Sequence, residues 1–524
     1  MSNIPYLLSC LIFLPLLAGA LIVWLREDVA DGWERPAALT VATINAALSL
    51  LLFVGGRQTS AGMEVLAFEE KLGWLPQLGI SYHLRVDGLS VFLVSLVAWL
   101  TPVAIMASWR LIRERQGLYY GLILLFSGGM LGALCSLDLF LFYVFWEIML
   151  VPAFFLIGLY GGTRRREATI KFVIYTMVGS LLMLVGIVSV AHQHFLLHGQ
   201  WSFDLTKLYG LQYGADGGVW LFLSFALAFV IKSALFPFHT WLPLTYDEAP
   251  APVTFMLSAL MAKLGIYGLL RIALPLFPVA AKAVAPALVG LAVCGVVYAG
   301  FIALAQTSAK RVLAYASISH LGVILLGVFS LNPQAISGAT FHMVAHALTT
   351  GALFLLVGII YERVGTTEFE SLGGIAHKAP FLATVMLIVV LASVGLPGLC
   401  GFVGEFLVFV GAFGLAPTAT AFAVSSVVLG ASYTLWMQQR VLFGPARADC
   451  AVKDLSGREA IMVVPIVLLV FGLGVFPQAM LDRINPATGA YLSRMGVNAW
   501  QAQPTPAVRT LTTKTSGTQP HGHK

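Results

Sequence analysis

Long apolar runs dominate this chain, and charged residues, glycine or proline separate one run from the next. Most runs are close to the roughly 20 helical residues that cross a hydrocarbon core of about 30 Å. The pattern predicts fourteen membrane-spanning helices, numbered here as spans 1 to 14. They lie near residues 4–25, 36–55, 89–109, 118–136, 138–160, 169–190, 219–238, 252–276, 285–305, 312–330, 333–360, 380–412, 418–443 and 460–480.

Two segments outside these spans carry patterns of their own. Residues 80–86 alternate apolar and polar side chains, which predicts one strand of a small periplasmic hairpin between spans 2 and 3. From residue 497 onward the chain is rich in Thr, Pro, Gly and Lys and has no apolar run. Such a composition predicts a disordered tail over residues 497–524.

Composition makes lipid the solvent for most of this chain. Apolar residues make up 59% of it and charged residues only 10%, whereas soluble domains carry about a quarter charged residues. We therefore expect an all-α polytopic membrane protein. Because no basic residue precedes the first apolar run, that run is expected to stay as a helix and not to be cleaved as a signal peptide.

Charge distribution predicts the orientation. The net charge of +6 does not indicate nucleic-acid binding, because most basic residues fall in short loops between apolar runs. Lys and Arg concentrate in the loops after odd-numbered spans. The positive-inside rule then predicts that those loops are cytoplasmic and that both termini are periplasmic.

The sequence carries no motif for a cofactor of its own. Its five cysteines are scattered without a CxxC pair, which argues against a disulfide framework or an iron–sulfur cluster. No glycine-rich nucleotide fingerprint follows a strand. We expect this chain to bind no cofactor.

Some of the histidines are candidate metal ligands. His342 and His346 are four residues apart, a spacing that a metal site can use, but we favour hydrogen-bonding core or relay histidines because no Cys or carboxylate joins them. His192, His194 and His198 are placed in a periplasmic loop and are expected to be solvated.

Ionisable side chains near the middle of the spans are the main functional signal. Each one costs about 2.5–3.5 kcal/mol at a helix centre, so such residues usually mark an ion pathway. The candidates are Glu147 in span 5, Lys232 in span 7, Lys263 in span 8, His320 in span 10, His346 in span 11 and Glu405 in span 12. One buried Glu–Lys pair could be a structural staple. Six groups at similar depth favour a lateral polar line that carries protons.

Helix-breaking residues accompany three of these candidates. Pro237 follows Lys232 by five residues, Pro152 follows Glu147 by five, and a Gly/Pro-rich stretch at 395–401 precedes Glu405. Proline lacks the N–H of a helical hydrogen bond, and interrupted backbone at membrane depth is tolerated where it is buried in protein or lines a wet cavity.

The positions of the breaks predict an internal repeat. Spans 7 and 12 are each the fourth helix of a five-span block, which is typical of inverted repeats with discontinuous helices. The predicted organisation is as follows: 1–110, three helices with the periplasmic hairpin; 111–276, the first repeat (spans 4–8); 285–443, the second, inverted repeat (spans 9–13); 444–496, a loop, span 14 and its end; 497–524, the tail.

The motifs around these residues resemble the antiporter-like subunits of respiratory complex I over about residues 80–480. They are FWEIMLVP at 145–152, PFHTWLP at 237–243, KLGIYGLLR at 263–271, SISHLG at 317–322 and GFVGEF at 401–406, together with Lys232, AQT at 305–307 and Lys310-Arg311. Two features are similar to the M type, the counterpart of mitochondrial NADH dehydrogenase subunit 4. Glu405 stands where sister chains L and N typically have lysine, and the chain ends without a long lateral helix.

The resemblance implies a proton-translocating membrane subunit of NADH:quinone oxidoreductase in the bacterial inner membrane. Glu147 and Lys232 would be the first-half Glu–Lys pair, and Lys263 the central lysine. His320 and His346 would lie on the connecting polar axis, with Glu405 as the exit-side residue. The implied partners are the sister antiporter-like subunits and membrane lipid, while other subunits would bind NADH and quinone.

The sequence departs from the family pattern at one place, and it leaves two other functional assignments open. After Pro243 the family commonly continues Asp-Ala-His, whereas this chain continues Leu244-Thr245-Tyr246-Asp247-Glu248, which leaves the role of that loop in proton uptake open. The chain could instead belong to a multisubunit Na⁺/H⁺ antiporter or a membrane-bound hydrogenase. A non-conducting structural membrane subunit is the alternative from another functional class.

Overall fold

The computed structural model describes residues 5–25, 32–54, 57–60, 63–445 and 452–497. Apart from Val497, the predicted disordered tail lies outside the described residues, as do both chain termini. We keep the predicted span numbers for the observed helices. Uninterrupted spans are Leu7–Leu25 (1), Glu34–Leu50 (2), Val91–Ser108 (3), Gln116–Cys135 (4), Arg165–His198 (6), Ala251–Leu276 (8), Pro278–Leu304 (9), Ala309–Phe329 (10), Pro333–Val364 (11), Pro417–Leu442 (13) and Gly457–Val475 (14).

Three spans are divided into two helices. The divided spans are 5a (Leu139–Ile148) and 5b (Leu150–Tyr160), 7a (Ala215–Lys232) and 7b (Trp241–Glu248), and 12a (Pro380–Val394) and 12b (Cys400–Phe413). The break within span 12 lies where the Gly/Pro-rich stretch predicts it, and span 7a ends at Lys232, before Pro237. The prediction of interrupted helices 7 and 12 is confirmed.

The structure supports the predicted fold class. Within the described ranges, twelve helices are long and apolar enough to cross a membrane, and 7a, 12a and 12b supply shorter apolar helices. If spans 7 and 12 each cross once, the total equals the predicted fourteen. That total and the inverted repeats stay predictions.

The spans differ sharply in burial. In spans 8 and 11, the most apolar stretch of 18 residues is wholly buried, and in span 10 it is nearly so. In spans 6 and 13 most residues of that stretch are not buried. Spans 8, 10 and 11 therefore form the centre of the protein, and they carry Lys263, His320 and His346. The outer spans turn apolar faces outward, as expected of helices that contact lipid or neighbouring membrane subunits.

Span 8 carries a feature that the sequence pattern did not predict. Two π-helical turns, Leu257–Met261 and Leu269–Ala273, flank the α-helical segment Ala262–Gly268. Short π-helical turns are rare and occur often at functional sites. Here they bracket Lys263.

Spans 7a and 8 approach each other backbone to backbone. A Cβ added to Gly265 would lie 2.4 Å from the carbonyl oxygen of Phe229 and 3.2 Å from Lys232 Cβ. Only glycine fits at so close an approach. The close packing brings the segment carrying Lys263 next to the end of span 7a.

The predicted strand is part of a small sheet between spans 2 and 3. Strand β3 (Ile80–Asp87) pairs antiparallel with β2 (Met63–Leu75), which confirms the strand and its antiparallel pairing, while the periplasmic location stays a prediction. A third strand, β1 (Arg57–Ser60), pairs with the other edge of β2. The sheet order is β1-β2-β3, one strand more than the hairpin predicted.

The end of span 6 corrects one prediction. The helix continues to His198, so His192, His194 and His198 lie on its last turns and not in a loop. His194 is buried, and its Nδ1 lies 2.8 Å from the Gln200 carbonyl oxygen. The expectation of solvation is therefore wrong for His194, because Val190, Ala191 and His194 continue one buried helical face.

A helix after span 14 was also missed. Gln478–Arg494 buries Met480, Ile484, Ala487 and Tyr491, three or four residues apart along one face. Its other face is polar, so it lacks the long apolar run used to find the spans. It packs against span 11 and β2.

A charged cluster fixes the sheet to the loop after span 6. Asp204 Oδ2 accepts a hydrogen bond from Lys71 at 2.6 Å and lies 3.0 Å from His83 Nδ1, and its Oδ1 accepts from the Thr206 backbone N–H. His83 Nε2 lies 2.9 Å from Glu69 Oε1. Burial alone would raise the pKa of Asp204, but the hydrogen bonds from His83, Lys71 and Thr206 outweigh it and hold that pKa below its usual range.

We predict that Asp204→Asn lowers the stability of the folded chain by about 1–3 kcal/mol at neutral pH, because His83 and Lys71 lose an anionic partner. Thermal unfolding of the detergent-purified chain measures the effect. Asp482→Asn is the matched control, since Asp482 is exposed and its Oδ1 accepts a hydrogen bond from Gln478.

The stability difference between wild type and Asp204→Asn is expected to decrease at acidic pH. A carboxylate with a lowered folded-state pKa stabilises the fold above its unfolded pKa of about 3.9 and loses that contribution as pH falls toward the folded value. The difference between wild type and Asp204→Asn should stay constant from pH 7 to about pH 5 and shrink below about pH 4. An equal difference at all pH values would contradict the assigned role of the carboxylate.

Candidate functional site

The first-half residues lie at the ends of broken helices. Glu147 is near the end of span 5a and half-buried, and its Oε1 has no hydrogen-bond partner among the described residues. Lys232 is the last residue of span 7a and 1% exposed. Its Nζ lies 4.4 Å from the centroid of the Trp146 ring. Lys232 is therefore held by a cation–π contact with the residue that precedes Glu147.

Trp146 is a site residue that the sequence reasoning did not single out. It belongs to the motif at 145–152, but an aromatic residue in an apolar span carries no local signal of a cation nearby. A cation–π contact stabilises a desolvated ammonium by roughly 2 kcal/mol. Trp146 therefore keeps Lys232 beside Glu147 without a direct ion pair.

The interruption after Lys232 has its own hydrogen bonds. Trp241, the first residue of span 7b, donates its indole N–H to the Ile231 carbonyl oxygen at 2.9 Å. Ala234, within the interruption, has a φ of 53°, a left-handed conformation that is strained for a non-glycine residue. Lys232 thus lies at a helix end that is held in place by the hydrogen bond from Trp241 to the Ile231 carbonyl oxygen.

Lys263 lies on span 8, which packs against both span 7a and span 11. It is 1% exposed, and its Nζ donates a hydrogen bond to the Ser258 carbonyl oxygen in the first π-helical turn of the same span. The π-helical turn therefore supplies the acceptor for an ammonium group that has no carboxylate partner among the described residues.

The second-half residues form a compact buried cluster, which we call the histidine cluster: His320, His342, His346 and Glu405. His320 Nδ1 lies 3.0 Å from Glu405 Oε1, and His342 Nε2 lies 3.6 Å from the same oxygen. The His320 ring centroid is 5.4 Å from that of His346 and 5.7 Å from that of His342. Three spans thus bring four titratable groups together.

The contact between His342 and Glu405 corrects the argument made from histidine spacing. A carboxylate does lie against one member of that pair, since Glu405 of span 12b, far along the chain, contacts His342. Local spacing gives no sign of it. The ligand atoms of His320, His342 and Glu405 all lie within 4.8 Å of one another, a set that could hold a metal ion.

Two of these histidines carry unused hydrogen-bonding groups. Both ring nitrogens of His342 and of His346 are buried without a hydrogen-bond partner among the described residues. Unpaired buried polar atoms are costly and occur where function requires them. Span 12b packs tightly against His342, since a Cβ on Gly404 would lie 2.6 Å from His342 Cβ.

The segment that departs from the family pattern is helical. Residues 244–248 belong to span 7b and not to a loop, and Tyr246 is buried with a hydroxyl that lacks a described partner. Asp247 Oδ2 accepts a hydrogen bond from Arg311 at 2.8 Å, and Lys310 donates to the carbonyl oxygens of Asp247 and Ala249 at 2.7 Å.

A cavity of about 390 Å³ opens beside the end of span 7b. Its lining includes Asp247, Glu248, Lys310, Tyr160 and Thr366. Although this chain lacks Asp-Ala-His at 244–246, span 7b still ends in two carboxylates, Asp247 and Glu248. Asp247 is paired with Arg311 of span 10.

The six predicted residues thus fall into three places. Glu147 and Lys232 lie near each other around Trp146, Lys263 lies on the central span, and the other three share the histidine cluster. The arrangement contains groups that accept and donate protons, and most of them are buried.

Two family models together match most of the chain. The family described as NADH:quinone oxidoreductase/Mrp antiporter, TM, matches residues 136–430. The family described as NADH-ubiquinone oxidoreductase chain 4, amino terminus, matches residues 10–131.

Individual relatives agree with these matches. The chain is 36% identical over 494 residues to NADH-quinone oxidoreductase subunit M of Escherichia coli K12, covering 92% of this chain and 97% of the relative. It is 37% identical over 499 residues to the subunit of the same name from Rhodobacter capsulatus, covering 92% of this chain and 95% of the relative.

Solved structures are also similar. A chain of Thermus thermophilus respiratory complex I with bound NADH matches with a TM-score of 0.85 and 35% identity, covering 93% of this chain and all of that one. A chain of the Mrp complex from Dietzia matches with a TM-score of 0.80 but only 20% identity, covering 93% and 98%, which shows a shared fold alone. The chain therefore belongs to the subunit M family of NADH-quinone oxidoreductase, the antiporter-like membrane subunits of complex I.

Proposed function

We propose that this chain conducts protons from the cytoplasm to the periplasm through Glu147, Lys232, Lys263, His346, His320 and Glu405. The family makes it a multi-pass subunit of bacterial complex I in the inner membrane, with other complex I subunits as partners. The observation that carries the proposal is the histidine cluster, in which His320 binds Glu405 directly and unpaired imidazole nitrogens lie alongside.

Proton exchange in the first half depends on the separation of Glu147 and Lys232. Trp146 holds the ammonium of Lys232 without neutralising its charge. A movement of span 5a or 7a that brings the Glu147 carboxylate to Lys232 stabilises the charged lysine, and withdrawal of the carboxylate favours release of the proton. A charge change arriving from a neighbouring subunit would shift this equilibrium.

Transfer to the second half passes through the central span. Within the described part of the chain, the hydrogen-bond partner of Lys263 is the neutral carbonyl group of Ser258, so no carboxylate there holds its proton. The imidazoles of His346 and His320 can accept a proton at one ring nitrogen and donate one from the other, which suits a relay. Glu405 takes up the proton at the end, because His320 Nδ1 is in hydrogen-bonding contact with its carboxylate.

The wider organisation is part of the same proposal. Blocks 111–276 and 285–443 are two inverted repeats, in which the interrupted spans 7 and 12 hold corresponding positions. Both termini face the periplasm. The chain binds no redox cofactor, and NADH and quinone bind to other subunits, so electron transfer and proton conduction are separate in space.

A purely structural subunit fits the site less well. A structural staple pairs its buried charges, because an unpaired buried charge destabilises the fold. Lys263 has no carboxylate partner, and two buried histidines keep four unpaired nitrogens among the described residues. This arrangement favours conduction.

We predict that Lys232→Ala lowers NADH-driven proton pumping at least about tenfold, because the first-half site loses its proton-carrying group. Inverted membrane vesicles allow NADH oxidation and proton uptake to be measured together. The exposed Lys207→Ala, in the short helix between spans 6 and 7, is the control and should pump like wild type. Normal pumping by Lys232→Ala at normal levels of assembled complex would show that Lys232 is not on the pathway.

We predict a graded response at the other end of the pathway. Glu405→Gln keeps the shape of the side chain but cannot ionise, so pumping should be lost, whereas Glu405→Asp should retain part of it. The exposed Glu370→Gln serves as control in the same vesicles. Equal pumping by Glu405→Gln and wild type would remove Glu405 from the pathway.

A further inference from the structure

We propose that His320, His342 and Glu405 form a buried binding site for Zn²⁺ or a chemically similar divalent transition metal. The three residues come from spans 10, 11 and 12b, and they present two imidazole nitrogens and a carboxylate oxygen to one point. Two histidines and one carboxylate are a ligand set that zinc uses in proteins, with a fourth position for water.

The distances suit a tetrahedral ion. Zinc binds nitrogen and carboxylate oxygen at about 2.0–2.1 Å, which places neighbouring ligand atoms roughly 3.3 Å apart. Glu405 Oε1 lies 3.0 Å from His320 Nδ1 and 3.6 Å from His342 Nε2, and all three atoms lie within 4.8 Å of one another. Small side-chain movements would bring the three donors onto one ion.

His342 supplies an independent sign of a ligand. It is 2% exposed, and neither of its ring nitrogens has a hydrogen-bond partner among the described residues, although Nε2 points toward Glu405. A buried imidazole without partners is costly. Coordination of a metal by Nε2 would satisfy that nitrogen.

A neighbouring hydroxyl prepares His320 for the same role. Ser393 Oγ lies 3.3 Å from His320 Nε2 and can accept the Nε2–H, so that Nδ1 can exchange its hydrogen bond with Glu405 for a bond to a metal. Metal-binding histidines commonly have their second nitrogen fixed in this way. The donor set favours zinc, cobalt, nickel or copper over Mg²⁺ and Ca²⁺, which prefer oxygen ligands.

The interruption of span 12 offers a route to the site. Residues 396–398, between 12a and 12b, are exposed. The second carboxylate oxygen of Glu405 lies 3.0 Å from the point where a Cβ on Gly395 would stand. The carboxylate therefore lies directly under the break in the helix.

The consequence for pumping rests on the proposed function. A bound ion would occupy the carboxylate and both imidazoles, and protons could no longer pass from His320 to Glu405. Metal binding itself is independent of proton conduction, so the two can be tested apart.

The first experiment measures binding of Co²⁺ to the full-length chain in detergent. We expect one Co²⁺ per chain with the intense ligand-field absorption of a tetrahedral site, displaced by Zn²⁺. His342→Ala and Glu405→Gln should abolish this absorption, whereas His346→Gln, whose ring lies outside the donor set, should keep it. The absence of such absorption in the wild-type chain, or its persistence in a folded His342→Ala variant, would overturn the proposal.

The second experiment measures Zn²⁺ inhibition of NADH-driven proton uptake in vesicles carrying the complex. A chelator should restore pumping, and His342→Ala should raise the half-inhibitory Zn²⁺ concentration more than about tenfold in whatever pumping it retains. If Co²⁺ binds as expected but Zn²⁺ leaves pumping unchanged, the metal site stands and the proposed pathway through Glu405 fails.

Discussion

The cost of placing ionisable groups at membrane depth determines the arrangement of this protein. Such groups must find partners inside the protein, because lipid supplies none. The chain meets this requirement in part by surrounding spans 8, 10 and 11, which carry Lys263, His320 and His346, with outer helices whose apolar faces point outward. Lys263 finds the Ser258 carbonyl oxygen, and Arg271 finds Asp87 Oδ1 at 2.6 Å.

Interrupted helices meet the same requirement in another way. A broken helix frees carbonyl groups, and here tryptophan and lysine side chains bind them: Trp241 donates to Ile231, and Lys310 to the end of span 7b. Because Lys310 and Arg311 begin span 10, which also carries His320, span 7b of the first block is attached to the helix that holds the second-half cluster. A displacement of span 7b would therefore act on span 10 through two charged contacts.

The sequence predicts the apolar spans, the breaks at 7 and 12 and the six ionisable candidates, because each is a local signal along one helix. It could not predict that His342 contacts Glu405 or that Lys232 rests on Trp146, since these contacts join separate spans. The π-helical turns of span 8 and the helix Gln478–Arg494 were missed for related reasons. The turns have no distinct apolar period. The helix Gln478–Arg494 has a polar face and therefore contains no long apolar run.

The two ends of the proposed pathway differ in charge, and that difference gives it a direction. The first half places a lysine beside an aromatic ring, whereas the second half places a carboxylate among three imidazoles. A proton that leaves Lys263 is repelled by the ammonium of Lys232 and attracted by Glu405, and both effects are stronger in the poorly screened interior than in water. A lysine in place of Glu405 would remove the attraction, so the carboxylate makes this end of the subunit an acceptor and favours transfer from the centre toward span 12.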